Sequence, residues 1–364
     1  TSAGLEVTSF TIGTVADTAG TAMTSTALPA DSSIFGTKTI IIDTTAPTVA
    51  SFTTATSSGS YNQGEEIVIT ANTSEAIQSG NTITVTLDTT DTVLLTAASA
   101  GTTLVGTYTV GAGDTSAGLE VTSFTIGTVA DTVGNAMTST TLPAASSIFG
   151  TKTIIIDTTV PVISSVSPST NSSVNNANVG YTLSEAIASG TVTYTRTGGT
   201  DDGNSPHTAN LAGDELNAGE RTLAALTNAP TLVDGAIYSI AFNGTDAAGN
   251  AAAAVTVTGI TFDTTAPTIT SVTSTTDDGT YNENDEVNVT VTFSEAVTLA
   301  GGNLVVTLET GTNDRTVTIN SISGSNTASG TYTVQAGDTS SDLTASGIAL
   351  SAGSLSDAAG NAMS

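Results

Sequence analysis

The sequence contains no cysteine, no tryptophan and only five basic residues. The lack of cysteine excludes a disulfide framework and a thiolate metal site. Against five Lys and Arg residues stand 33 Asp and Glu residues, which give a formal net charge of −28. Such a field repels phosphate groups, so we expect neither nucleic acid nor an anionic membrane surface as a partner. The carboxylates favour a hard divalent cation instead.

Long apolar runs and catalytic residue sets are also missing. No stretch resembles a signal peptide or an apolar span of about 18 residues, so we expect no direct membrane insertion of this segment. The single histidine, His207, lies in the predicted loop Asp201–Asn210 and is expected to be solvated. One histidine supports neither a catalytic triad nor a zinc centre, and 4% aromatic residues are too few for a sugar-binding cleft. We therefore predict that the chain is not an enzyme.

The chain is an array of repeats. Residues 1–48 recur at 115–162 with differences at only six positions, which indicates duplication of a whole structural unit. The tripeptide Asp-Thr-Thr marks each new unit, at Asp43, Asp157 and Asp263. Units of about 100 residues are typical of independently folding domains.

These markers divide the sequence into four repeats. Repeat 1 (1–42) is a partial domain with C-terminal strands only, and repeat 2 (43–156) is complete. Repeat 3 (157–262) is a divergent, fibronectin-like variant, and repeat 4 (263–364) lacks its last strand. Because residue 1 falls inside a repeat, we expect the chain to be an internal piece of a longer protein.

The residue pattern predicts an all-β fold. Thr, Ser, Ala, Val, Gly and Ile dominate, and in repeat 4 Val287, Val289, Val291 and Phe293 alternate with polar residues, which is the period of a strand with one buried face. Runs predicted as further strands are Thr82–Leu87, Leu104–Val110, Leu119–Ile126 and Lys152–Ile156. Roughly seven short strands in about 100 residues predict a tandem array of Ig-like, Greek-key β-sandwich domains.

Three acidic motifs recur at equivalent positions: the linker Asp, a Ser-Glu-Ala segment, and Asp-x-x-Gly-Asn. In a seven-strand sandwich the linker Asp opens the first strand, Ser-Glu-Ala closes the second, and Asp-x-x-Gly-Asn lies between the last two. All three meet at one end of the domain, at the junction with the preceding repeat. The loop after the fifth strand, with Asp114 or Asp338, lies at the opposite end and faces the next junction. The candidate metal ligands are Asp43, Glu75, Asp131, Asn135, Asp157, Glu185, Asp246, Asn250, Asp263, Glu295, Asp357, Asn361 and Asp114.

Carboxylates gathered at one junction repel one another unless a cation lies between them, and carboxylate and carbonyl oxygens are the ligands of Ca²⁺. The motifs therefore predict one interdomain Ca²⁺ at each junction. The alternative is that Asp-x-x-Gly-Asn is only a tight turn favoured by backbone geometry, with a solvated Glu nearby. In repeat 1 the motif is degenerate, because Thr21 replaces the Asn.

Repeat 4 carries a set of motifs that resembles the tandem bacterial Ig-like extender domains of giant cell-surface adhesins. They are Asp-Thr-Thr-Ala-Pro-Thr from Asp263, Tyr281–Glu286, Phe-Ser-Glu-Ala-Val from Phe293, Tyr-Thr-Val-Gln-Ala-Gly-Asp from Tyr332, and Asp-Ala-Ala-Gly-Asn from Asp357. The resemblance implies a secreted, cell-attached protein whose repeats are held straight by calcium. It points to the linker Asp and the Asp of Asp-x-x-Gly-Asn in each repeat. Repeat 3 departs from it, with Tyr-Ser-Ile-Ala-Phe from Tyr238 in place of the Tyr-Thr-Val strand.

Three functions remain open from the sequence. The first is an extracellular structural extender whose partners are neighbouring domains. The second is a filament subunit in which residues Lys38–Ile42 of an identical chain complete repeat 4 by strand donation. The third is a ligand-binding role for repeat 3, whose segments Thr197–Ala218 and Asn228–Asp234 differ from the other repeats.

Overall fold

A computed structural model describes residues 7–29, 40–144 and 149–363. Within these residues the chain is built from β-strands, apart from one single-turn 3-10 helix at Gly213–Leu216. The strands form several antiparallel sheets, as in a β-sandwich, which confirms the predicted all-β fold class. The chain divides into two compact units, residues 1–159 and residues 160–364. In the described part of the chain, no helix is long and apolar enough to cross a membrane.

Repeat 2 forms a two-sheet sandwich. Its strands are β1 (Val49–Thr53), β2 (Gly59–Tyr61), β3 (Glu66–Ile77), β4 (Thr82–Leu87), β5 (Thr92–Thr96), β6 (Gly101–Thr109), β7 (Thr115–Ser116), β8 (Val121–Thr128) and β9 (Ile154–Asp157). One sheet has the order β1-β3-β6-β5-β4-β8 and the other the order β2-β9-β7. Its described residues hold nine strands rather than the roughly seven expected, because short segments such as β2 and β7 pair separately with β9.

The core of repeat 2 follows from period-two alternation. In β3, Ile67, Ile69 and Ala71 are fully buried while the residues between them face outward. Phe52 of β1 packs edge-on against Phe124 of β8, with ring centroids 5.9 Å apart. β1 and β8 are the two edge strands of the six-stranded sheet, so this contact brings its edges together in the core.

Repeat 3 has a second hydrophobic core, within the second compact unit. Its strands are β10 (Ile163–Ser167), β11 (Ser173–Val174), β12 (Val179–Leu183), β13 (Ser189–Gly199), β14 (His207–Asn210), β15 (Gly219–Ala224), β16 (Ala236–Thr245) and β17 (Val255–Phe262). They form sheets in the orders β10-β12-β15 and β11-β17-β16-β13-β14. Buried aromatic residues on β12, β13 and β16 fill the space between these sheets.

Repeat 4 has its own core in the same compact unit. Its strands are β18 (Ile269–Thr273), β19 (Glu286–Ala300), β20 (Leu304–Leu308), β21 (Arg315–Ile319), β22 (Ser325–Thr333), β23 (Ala345–Leu350) and β24 (Ser354–Ser356). The predicted alternation in β19 is confirmed: Val287, Val289, Val291 and Phe293 are buried.

Repeat 4 also contains an open groove of about 710 Å³. In repeat 2, β9 pairs in parallel with Gly59–Tyr61 and antiparallel with Thr115–Ser116. The matching segments of repeat 4, residues 279–281 and 339–340, both line the groove. We call it the repeat-4 groove, and it occupies the place that β9 fills in repeat 2.

Repeat 1 is described over residues 7–29 and 40–42. Its described residues are mostly exposed, and their clearest feature is a turn at Asp17–Thr21 closed by an Ala16–Ala22 bridge. Of the strand predicted at Lys38–Ile42, Lys38 and Thr39 lie outside the described residues. Ile41 is 65% exposed.

Candidate metal centres

Three carboxylates of repeat 2 that are far apart in sequence come together at one end of the sandwich. Asp43 precedes β1, Glu75 lies near the end of β3, and Asp131 lies in the turn that follows β8. One oxygen from each lies within 4.8 Å of the other two. The predicted convergence of the linker Asp, Ser-Glu-Ala and Asp-x-x-Gly-Asn is therefore present, and we call these residues the repeat-2 cluster.

The Asp-x-x-Gly-Asn turn holds Asp131 rigidly. Its Oδ1 accepts backbone N–H bonds from Val133 at 2.9 Å, Gly134 at 2.6 Å and Asn135 at 2.8 Å. Gly134 has φ of +105°, in the left-handed region that favours glycine. The side-chain amide nitrogen of Asn135 donates to Asp131 Oδ2 at 2.7 Å and to the Asp43 carbonyl at 3.1 Å. Asn135 thus ties the turn to the linker.

The carboxylates of the repeat-2 cluster have opposite tendencies to ionise. Burial, reinforced by the negative charges of Asp43 and Asp131, raises the pKa of Glu75. Burial also works against ionisation of Asp131, but the hydrogen bonds from Asn135 and the turn amides outweigh it and lower its pKa. The cluster therefore combines a firmly charged Asp with a Glu whose charge is opposed by its neighbours, an arrangement that a cation would relieve.

Repeat 4 reproduces the arrangement with Asp263, Glu295 and Asp357, whose ligand oxygens again lie within 4.8 Å of one another. The Asn361 amide donates to Asp357 Oδ2 and to the Asp263 carbonyl, both at 2.8 Å. Burial, with the charges of Asp263, Asp357 and Asp234, raises the pKa of Glu295. We call Asp263, Glu295 and Asp357 the repeat-4 cluster.

In repeat 3, Glu185 and Asp246 come together in the same way, with ligand oxygens within 4.8 Å of each other. The Asn250 amide donates to Asp246 Oδ2 at 2.8 Å. The third residue predicted with them, Asp157, is the last residue of β9 and belongs to the first compact unit. Its Oδ1 accepts the Thr159 N–H at 3.0 Å.

The predicted asparagine ligands have a different immediate task. In repeats 2, 3 and 4 the amide nitrogen of the asparagine donates to the Oδ2 of the turn Asp: Asn135 to Asp131, Asn250 to Asp246 and Asn361 to Asp357. The nitrogen, not the carbonyl oxygen, therefore faces the carboxylate. Their part in metal ligation stays a prediction.

Asp114 lies at the other end of repeat 2, as expected for the loop after the fifth strand. It adjoins the Glu66 end of β3, nine residues or roughly 30 Å along the strand from Glu75. Its Oδ2 accepts bonds from the Tyr108 hydroxyl at 2.5 Å and the Gly111 N–H at 2.6 Å. These bonds outweigh burial and lower its pKa. Asp114 is thus an acceptor of internal hydrogen bonds.

Asp338 has the matching position in repeat 4. It accepts bonds from the Tyr332 hydroxyl at 2.6 Å, the Gln335 N–H at 3.0 Å and Arg315 Nε at 2.9 Å. The hydrogen bond from Tyr332, with the others, lowers the pKa of Asp338. Asp114 and Asp338 therefore accept hydrogen bonds within their own repeats, and among the described residues neither joins a group of three carboxylates.

The prediction that His207 is a solvated loop residue is wrong. His207 begins β14, where it pairs with Tyr194 of β13, and its side chain is only 17% exposed. Its Nε2 lies 2.7 Å from Asp202 Oδ2, which also accepts the Tyr238 hydroxyl at 2.7 Å. Hydrogen bonds from Tyr238 and His207 lower the pKa of Asp202. Asp202 thus connects the start of β14 with Tyr238 of β16.

Sequence reasoning missed Asp234, which lies in repeat 3 but contacts the linker into repeat 4. The sequence offers no matching acidic residue in the other repeats from which its role could be inferred. No protein-family model matches this chain, and a search of curated proteins finds no match either.

Proposed function

We propose that the chain is an extender segment of an extracellular bacterial surface adhesin or fibre, and that Ca²⁺ bound at its repeat junctions stiffens it. The observation that supports this most is the recurrence of the same carboxylate arrangement in repeats 2 and 4. Each cluster combines the linker Asp, which joins a repeat to the one before it, with two residues of the repeat's own sandwich. A cation bound there would connect the linker to the domain.

The donor set fits calcium. Ca²⁺ takes oxygen ligands at about 2.3–2.6 Å, so two oxygens around one ion are separated by at most about 5 Å. In each cluster one oxygen of every carboxylate lies within 4.8 Å of the others, which meets this requirement. All three donors are carboxylates. Burial and then the neighbouring negative charges raise the pKa of Glu75 and Glu295, and a bound cation would remove the repulsion. Asp131 and Asp357 would be the anchoring ligands, since their turns already hold them in place.

Calcium binding would stabilise the folded array. A ligand that binds only the folded state contributes about 2.7 kcal/mol at a hundredfold excess over Kd. Extracellular calcium modules have Kd near 10⁻⁴–10⁻³ M, so millimolar calcium would occupy such sites at least in part. Each filled site would restrict bending at the linker, and an array of such junctions would project an adhesive tip away from a cell.

The proposal is tested by calorimetric titration of the whole chain with Ca²⁺ and with Mg²⁺. We expect calcium binding, and we expect Asp131→Asn and Asp357→Asn each to remove one site. The matched control is Asp17→Asn in repeat 1, where Thr21 replaces the Asn and where, among the described residues, Asp17 joins no group of three carboxylates. The proposal would be refuted if Asp17→Asn lost as much calcium-binding heat as Asp131→Asn, or if the wild type bound no calcium.

A second candidate function is pairing between chains through the repeat-4 groove. The observation that favours it is the match with repeat 2, in which Ile154 and Ile156 of β9 are 1% and 2% exposed in the equivalent place. The sequence Ile-Ile-Ile-Asp of β9 recurs at residues 40–43, where repeat 1 meets repeat 2 and the isoleucines are exposed. An identical chain could supply this strand by β-augmentation.

Sedimentation velocity over a range of concentrations tests this candidate. Pairing through the groove predicts concentration-dependent assembly, which Ile40→Asp and Ile42→Asp should each abolish because these positions match the buried Ile154 and Ile156. Equal assembly by the variants, or a monomer at every concentration, would count against it and leave the extender function as the account of the chain.

A further inference from the structure

We propose that Asp234 is a positioning residue that clamps the linker into repeat 4 and so holds Asp263 in its place beside Glu295. The use of this clamp in cation binding rests on the proposed function, whereas the hydrogen bonds that form the clamp do not depend on it. Asp234 lies in repeat 3, two residues before β16 begins. All the residues involved belong to the second compact unit.

Both oxygens of the Asp234 carboxylate are used by the linker. Oδ1 accepts the Thr264 backbone N–H at 2.6 Å and the Thr264 hydroxyl at 2.9 Å. Oδ2 accepts the Thr265 hydroxyl at 2.9 Å. These three bonds lower the pKa of Asp234, with the Thr264 N–H as the largest cause. One side chain therefore fixes two consecutive linker residues directly after Asp263.

The linker is also held from the repeat-4 side. The Asn361 amide donates to the Asp263 carbonyl at 2.8 Å, and the Thr265 N–H donates to Asp263 Oδ1 at 3.0 Å. Thr265 is the shared element, because its hydroxyl binds Asp234 while its N–H binds Asp263. The Asp263 carboxylate is thereby oriented through a chain of bonds that begins in repeat 3 and ends in repeat 4.

The corresponding linker after repeat 2 is held differently. There the Thr158 hydroxyl donates to the backbone carbonyl of Asp114 at 3.0 Å. Thr158 and Thr264 occupy the same place in the Asp-Thr-Thr tag, so the linker sequence is constant while its acceptor changes from a backbone carbonyl to a charged side chain. Hydrogen bonds to charged groups are stronger than those to neutral ones, so in the described residues the linker after repeat 3 has a stronger acceptor than the linker after repeat 2.

Asp234 also contributes negative charge to the repeat-4 cluster, since it is among the groups that raise the pKa of Glu295. A test must therefore separate positioning from charge. Asp234→Ala removes both the acceptors and the charge, whereas Asp234→Asn removes the charge but keeps one acceptor oxygen for Thr264. The double variant Thr264→Val with Thr265→Val keeps the charge and removes the two hydroxyl donors.

The experiment is hydrogen exchange of the Thr264 amide in the whole chain, measured by NMR in EDTA so that no cation contributes. We expect exchange at least tenfold faster in Asp234→Ala than in wild type, with Asp234→Asn in between. Amides of the β16–β17 pair, such as Ile260, should keep their wild-type rates and show that repeat 3 remains folded. The matched control is Asp342→Ala, an exposed acidic residue of repeat 4.

The outcomes are decisive in either direction. Equal Thr264 exchange in wild type and Asp234→Ala would overturn the clamp. Identical rates for the Ala and Asn variants would show that charge rather than acceptor geometry protects the amide, and would also overturn it. A second titration, with Ca²⁺, should show weaker binding to the Thr264→Val, Thr265→Val variant than to wild type if the clamp serves the cluster. Failure of calcium to bind any form would refute the proposed function and leave the exchange result unaffected.

Discussion

Residues 7–14 and residues 121–128 have the same sequence, Val-Thr-Ser-Phe-Thr-Ile-Gly-Thr, but different structures. In repeat 2 this segment is β8, which pairs with β4 and buries Phe124. In repeat 1 the same eight residues form no strand in the described structure, and Phe10 is half-buried. The comparison shows that the strand depends on its partner in the sheet rather than on local sequence alone.

The turns that follow these segments extend the comparison. Asp17 Oδ1 accepts the Ala19 and Thr21 N–H groups, both at 2.9 Å, much as Asp131 Oδ1 accepts its own turn amides. The turn is therefore a local structure that forms in both places. The carboxylate cluster is not local, because Asp43 and Glu75 are brought to Asp131 by the rest of the sandwich.

The largest effect is expected from removing the matched phenylalanines. Phe124→Ala should destabilise the protein by about 3–5 kcal/mol, because it leaves a cavity beside Phe52. Phe10→Ala, in identical local sequence, should cost about 0.5 kcal/mol or less. Urea unfolding followed by far-ultraviolet circular dichroism measures both. Equal costs would mean that repeat 1 is packed as tightly as repeat 2, against the comparison.

The second-largest effect is expected from calcium binding, which should distinguish the Asp131 turn of repeat 2 from the Asp17 turn of repeat 1. At a hundredfold excess over Kd, one site contributes about 2.7 kcal/mol, so Asp131→Asn should lose much of the calcium-dependent rise in melting temperature of repeat 2. The control Asp17→Asn should keep that rise. Scanning calorimetry in EDTA and in calcium gives the answer, and an equal loss in the two variants would contradict the cluster assignment.

The pH response of Glu75 provides a third test, in EDTA. Because its pKa is raised in the folded protein, the folded state binds more protons than the unfolded state between the ordinary value of 4.5 and the raised value. The contribution of Glu75 to the free energy of unfolding therefore falls as pH rises through that window. Above the raised pKa the destabilisation by ionised Glu75 is complete. Glu75→Gln should melt at a higher temperature than wild type at pH 7, and the difference should disappear below pH 4.5. In calcium the order at pH 7 should reverse, because the variant has lost a ligand. A Glu75→Gln variant that melts below wild type in EDTA would contradict the assigned repulsion.

The smallest effect is expected from exchanging the residues that distinguish the two turns. Asn135→Thr removes the amide donor to Asp131 and to the Asp43 carbonyl, and should cost about 1 kcal/mol. Thr21→Asn in repeat 1 should change stability less, since the described residues place no linker carbonyl there for it to bind. Denaturant titration of the two single variants measures the difference, and a larger effect at position 21 would contradict this account.

These matched segments also show what the sequence could predict. Alternating apolar residues such as Val287 and Val289 identified strands and their buried faces, and recurrence of the acidic motifs in a known sandwich order was enough to bring Asp43, Glu75 and Asp131 together. The pattern could not show that Asn135 presents its nitrogen, because that orientation depends on the position of the Asp43 carbonyl in the folded chain.

Two misjudged residues have a common cause. The polar surroundings of His207 predict a solvated side chain, but Asp202 of the same loop bonds to it and is itself held by Tyr238 of β16. Asp234 was overlooked because its partners lie about 30 residues further along the chain, at Thr264 and Thr265. Polar networks of this kind carry no periodic signal, so only the tertiary structure reveals them.

The most direct test of the central claim is small-angle X-ray scattering of the whole chain in EDTA, in millimolar calcium and in millimolar magnesium. Stiffening by calcium at the junctions predicts a larger radius of gyration and maximum dimension in calcium than in EDTA, no comparable change in magnesium, and loss of part of the change in Asp357→Asn. Dimensions that are the same in EDTA and in calcium would show that the acidic clusters do not stiffen the array, and would contradict the account.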